Sequence, residues 1–179
     1  MTKTTSAKQL CITAVCIALC CILPQAFHAL ALGSVFSPMH IPVLLCGLVC
    51  GGGYGLICGI AGPVLSSLLT GMPSAAALSF MLPELMVYGL VSGMMMQFLR
   101  SGKLCTDLYT SLITAMVLGR IAGGMASAVF YMGRGQAFSL AIWASSYFLG
   151  TLPGIVVQLI LIPILVATLM KARVIPCRY

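Results

Sequence analysis

Long apolar runs broken by short connections, with nearly all charged residues kept to those connections, constrain this chain more than any other feature. Only 6% of its 179 residues are charged, 61% are hydrophobic and the mean hydropathy is +1.15. A soluble domain charges about a quarter of its residues to cover its surface. A chain this poor in charge has an outer surface as apolar as its core, and only lipid accepts such a surface. At about 20 residues per crossing, the length holds six or seven helices and leaves no room for a separate soluble catalytic domain.

The runs predict an all-α, polytopic membrane protein: a bundle of six transmembrane helices in a single integral domain, 1–179. The expected spans are 8–32, 41–51, 54–70, 74–99, 108–132 and 152–171, with an outer-leaflet segment at 138–149. The stretch 41–70 decides the count. As one helix it would be about 45 Å long, against a hydrocarbon core of about 30 Å. Gly51, Gly52 and Gly53 near its middle favour a turn. Charge gives an independent test. With six spans and a cytoplasmic N-terminus, Lys3, Lys8, Arg100, Lys103, Lys171, Arg173 and Arg178 lie inside and only Arg134 outside. Joining the second and third spans destroys that asymmetry, so the positive-inside rule selects six spans with both termini cytoplasmic. The N-terminal run loosely matches a cleavable signal peptide ending at Ala29-Leu30-Ala31. It is expected to remain as the first span, because everything downstream also needs a membrane. Gly150 and Pro153 break the last apolar stretch. Broken backbone at membrane depth needs protein or a water-filled cavity around it, which points to the outer side as the site.

Glu84 and Arg120 are the two charges that fall within spans. Helix rise puts both at similar depth, about 15 and 18 Å from the outer ends of their spans. A charge in hydrocarbon costs several kcal/mol, so each is expected to face the interior and find a partner. One reading is a buried ion pair that locks the fourth and fifth spans. The other is a binding site in which Arg120 grips a substrate carboxylate or phosphate and Glu84 orients it or accepts a substrate donor. Both can hold together. Gln158 falls near the same level in the last span, and Trp143 and Tyr147 share a face if their segment is helical. Those two aromatics serve equally well as an interfacial belt. His40 stands at the entrance to the second span, where a structural or interfacial role is the more common one. Ala14 and Ala18 lie one turn apart on the first span, and Gly119, Gly123 and Gly124 on the fifth, spacings that let helix backbones approach closely.

Several function classes are excluded or disfavoured. The net charge of +7 does not signal nucleic-acid binding, because eight of the nine Lys and Arg sit at span ends and form no polar face. The nine cysteines mostly lie inside apolar runs without a C-x-x-C pair, and buried thiols behave as small hydrophobes, so no metal site is expected. No phosphate loop, H-E-x-x-H or G-x-S-x-G occurs, and no cofactor is expected.

Four runs carry a family resemblance: FSPMHIPVLLCGLVCGGGYGLICGIAGPVLSSLLTGMP (36–73), PELMVYGLVSG (83–93), MVLGRIAGG (116–124) and LPGIVVQLILIPILV (152–166). In this order they resemble the substrate-binding subunits of energy-coupling factor (ECF) transporters and are most similar to the group holding the pantothenate and folate subunits. The resemblance implies a six-helix bundle that captures a vitamin near the outer face. There the first loop and parts of helices 4 to 6 line the site. It also implies an A-x-x-x-A face on the first helix, matched by Ala14 and Ala18, that docks a separate transmembrane coupling subunit driven by two ATPase subunits. The lack of a phosphate loop is then expected. Three other readings remain: a small secondary permease, a membrane-embedded hydrolase using His40 and Glu84, and a haem anchor ligated by His28 and His40.

Overall fold

The structure is a computed structural model, and it describes residues 6–29, 38–99, 101–133 and 151–174. The expected outer-leaflet segment at 138–149, with Trp143 and Tyr147, lies outside the described residues. Six α-helices follow one another: α1 (Ser6–Ala29), α2 (His40–Cys50), α3 (Gly52–Thr70), α4 (Ala75–Phe98), α5 (Leu104–Gly133) and α6 (Leu152–Lys171). The described residues contain no strand. All but α2 are long and apolar enough to cross a membrane. Helices satisfy every backbone donor and acceptor within the segment, as a spanning structure in lipid must. Large side chains such as Leu68, Phe98, Val129 and Ile160 are exposed on the outside of the bundle, where a bilayer would cover them.

α2 is the exception that shapes the interior. Its 11 residues reach only about 16 Å. Both of its ends are pinned to α1. Cys50 meets Gln9 near the start of α1, through Gln9 Nε2 to the Cys50 carbonyl at 3.3 Å and Cys50 Sγ to the Gln9 carbonyl at 3.7 Å. Cys20 Sγ donates to the Met39 carbonyl at 3.7 Å. α2 therefore runs beside the first half of α1 only, and its N-terminal residue, His40, enters the bundle at mid-depth.

The turn from α2 into α3 is made by a single residue, Gly51, at φ 99°. That left-handed backbone favours glycine. Its N–H is satisfied by the Gly47 carbonyl at 2.9 Å, and its own carbonyl accepts from Gly55 at 2.9 Å. At the other end of α3, Gly71 adopts φ 71° and closes the helix on the Ser67 carbonyl. Ser66 and Ser67 donate to the Met72 and Pro73 carbonyls at 2.7 and 2.8 Å, and Ser74 caps α4 by accepting from the Ala77 N–H. Polar groups at this turn are thus used by the chain itself.

α4 is the central helix. It packs against α2, α3 and α5, and glycines set how closely. A Cβ added to Gly55 or Gly59 of α3 would collide with the Gly89 or Leu85 carbonyl of α4, and one added to Gly89 would strike the Gly55 backbone. Gly47 of α2 meets Ser92 and the Gly89 carbonyl. Backbones in such contact gain dispersion energy that larger side chains would prevent. Where α1, α2 and α3 meet, the small thiols of Cys16, Cys20, Cys46, Cys50 and Cys58 fill the space. Among the described residues no group of His, Cys, Asp or Glu is arranged to hold a metal ion.

The glycine contacts predict a sharp positional difference. Gly89→Ala meets backbone that cannot move aside and should cost about 1–3 kcal/mol, as overpacking does. Gly53→Ala, with nothing within 4 Å, should be neutral or slightly stabilising through helix propensity. Thermal unfolding of both variants in detergent micelles checks this.

Candidate functional site

The polar interior is built around Glu84 of α4, which is only 4% exposed. Its Oε1 accepts a hydrogen bond from Tyr88 Oη at 3.0 Å, and His40 Nε2 of α2 lies 3.4 Å from the same oxygen. Tyr88 follows Glu84 by one helical turn, so both point the same way. The His40 and Tyr88 rings pack edge-to-face with centroids 5.1 Å apart. His40 can reach Glu84 because α2 starts at mid-depth; a full-length helix would put its first residue at the membrane surface.

α5 closes the opposite side with two glycines. Gly119 lies against the Tyr88 ring, leaving no space for a Cβ. Gly123 faces Glu84, where a Cβ would stand 2.9 Å from Oε2. Arg120, between them in sequence and 5% exposed, belongs to the same buried face of α5. Counting from the paired ends at Phe98 and Leu104, Glu84 and Arg120 stand about 21 and 24 Å into the bundle. Glu84 and Arg120 thus share one level, with His40 and Tyr88 beside Glu84. Gln158 is buried on α6 at 2% exposure, and α6 packs against α2 and α5, the helices that carry His40 and Arg120.

The remaining sequence candidates separate. Ala14 and Ala18 are exposed on α1, so their small size is not consumed in packing within the chain. His28 is exposed near the end of α1, whereas His40 is buried against Glu84. The second acidic residue, Asp107, is buried in the first turn of α5, where it accepts from the Ser101 N–H at 3.3 Å and the Ser101 hydroxyl at 2.5 Å. It ties the α4–α5 connection and stands well away in sequence and height from Glu84. Sequence reasoning missed Tyr88. A hydrogen-bonding residue four places after an intramembrane carboxylate was the available signal.

A bundle of apolar helices around a buried cluster of polar residues defines a multi-pass membrane protein with a polar interior. The family model for the ECF transporter, substrate-specific component, matches residues 8–173, and the chain belongs to that family. It is therefore a substrate-binding component of a transporter, and the family is not one of enzymes. Membership implies a small-molecule substrate and, on other chains, a coupling subunit and ATPases. No curated protein and no solved structure matches the chain.

The geometry makes Glu84 a junction between α2, α4 and α5. Glu84→Leu removes the oxygen that Tyr88 Oη and His40 Nε2 share and should destabilise the protein by about 3–5 kcal/mol, as loss of one buried partner does. Tyr88→Phe removes one hydrogen bond and should cost less, about 1–3 kcal/mol. Glu84→Gln keeps an oxygen for Tyr88 and should fall below Glu84→Leu. Melting temperatures of the three variants give the order.

Proposed function

We propose that this chain captures a small anionic micronutrient of the vitamin class from the outer side of the plasma membrane and passes it on through a separate coupling subunit powered by two ATPase subunits. The observation that carries this reading is the buried Arg120 at the level of Glu84, inside a member of the substrate-specific component family. A guanidinium offers a planar pair of N–H donors that matches a carboxylate or phosphate. Glu84 holds its geometry through Tyr88 and His40 and supports the wall behind Arg120, while Gln158 contributes from α6. Trp143 and Tyr147, outside the described residues, stay candidate contacts of the bound molecule on sequence grounds. Pantothenate and folate both carry carboxylates and suit an arginine.

Orientation follows from charge. Both termini lie in the cytoplasm, so α2 ends at the inner side and His40 faces the half of the bundle that opens outward. The coupling subunit docks on the exposed Ala14/Ala18 face of α1, where small side chains permit close backbone approach.

Two experiments test the two halves of this proposal. Arg120→Lys keeps the charge but loses the paired donors, so it should reduce retention of the bound molecule about tenfold while the protein stays folded. Retention equal to the parent overturns the role of Arg120. Ala14→Leu combined with Ala18→Leu should leave binding by the isolated chain intact and sharply reduce ATP-driven uptake by the assembled transporter. Unchanged uptake would exclude this face as the docking surface.

A further inference from the structure

We infer that the captured molecule carries, besides its anionic group, an N–H or O–H donor, and that Gln158 reads this donor. The inference rests on the capture reading above and names the chemistry of its ligand more narrowly. The buried face of α6 consists of Gly154, Gln158, Ile162 and Val166. Gln158 is the one polar side chain on that face. Its Oε1 is fully buried and has no hydrogen-bond partner among the described residues. Leaving a buried carbonyl oxygen unmatched destabilises a native state, and a methionine or leucine of similar length would remove that burden. A carboxamide held at such a position is matched when a ligand brings the missing donor.

Position supports the assignment. With α6 returning antiparallel to α5, Gln158 stands about 20 Å from the Lys171 end, level with Glu84 and Arg120. α6 packs on α2 and α5, so its inward face meets the two helices that carry His40 and Arg120. Glu84 Oε1 is already occupied by Tyr88 and His40. Among the described residues, the buried side-chain oxygen without a hydrogen-bond partner is the Gln158 carbonyl. A site with Arg120 as donor and Gln158 as acceptor selects a molecule with both an acidic group and a hydroxyl or amide N–H. A simple alkyl carboxylate or inorganic phosphate ester without such a donor fits only half of it. Polar sites of this kind discriminate strongly, because the wrong ligand leaves the buried group unpaired.

The test uses the full chain in lipid nanodiscs incubated with a small-molecule extract of cells, and the retained compound is identified by mass spectrometry. The wild-type chain should retain a compound with an anionic group and an N–H or O–H donor. Gln158→Met, close in shape but unable to accept well, should lower its affinity at least about tenfold with an unchanged or raised melting temperature. A second arm does not depend on the variant folding. The retained compound methylated at its donor should compete for the wild-type chain at least about tenfold less well than the parent compound. A retained compound without such a donor, equal binding by Gln158→Met, or equal competition by the methylated form overturns the role of Gln158 and leaves capture standing. Retention of nothing by the wild-type chain overturns the capture reading and this inference together.

Discussion

A carboxylate buried in a hydrocarbon-embedded bundle is the constraint around which this structure is arranged. Glu84 cannot face lipid without a cost of several kcal/mol, so α4 must turn that face inward and other helices must supply partners. Tyr88 does so from the same helix, His40 from α2, and α5 offers a glycine surface that lets both groups fit. Each of these conditions fixes a helix. The rotation of α4 is set by Glu84 and Tyr88, the start of α2 by His40, and the face of α5 by Gly119 and Gly123. Arg120 is carried to the same level by that last choice.

Close packing does the rest. Lipid supplies no hydrophobic drive between helices, so association depends on contact and shape. Glycines at 47, 55, 59 and 89 bring α2, α3 and α4 together at backbone distance. The thiols at 16, 20, 46, 50 and 58 fill the smaller gaps beside α1. The short α2 has a further consequence. A helix of about 16 Å leaves the other half of its column to different parts of the chain, so a polar residue at its N-terminus is delivered to the middle of the membrane. Polar interior and half-length helix are two aspects of one arrangement.

Division of labour between faces follows from the same geometry. The polar residues gather on the inward faces of α2, α4, α5 and α6, whereas Ala14 and Ala18 point outward from α1. A component that binds one small molecule and also meets a protein partner needs two surfaces that do not compete. In the proposed reading the binding and docking surfaces are separated by the thiol-filled layer between α1 and its neighbours. α1 is pinned to both ends of α2, and α2 carries His40.

Hydropathy, charge placement and glycine position are local properties, and they were enough to establish from sequence an all-helical membrane bundle, a turn at the triple glycine, and Glu84 and Arg120 as its interior charges. The four matched runs were enough to reach the family. What the linear pattern could not supply was which faces oppose one another. Tyr88 was not among the sequence candidates, although Glu84 stands one turn away; Gly119 opposite its ring appears only in the fold. His40 reads as a residue at a membrane surface until the 11-residue length of α2 carries it to mid-depth. Gly119 and Gly123 read as generic packing until the groups they accommodate are known. Composition decides that a segment is buried in a membrane, since transfer energy sums residue by residue. Partners are decided only in three dimensions, because a buried polar group is stable only where another helix, distant in sequence, brings its complement within hydrogen-bonding reach.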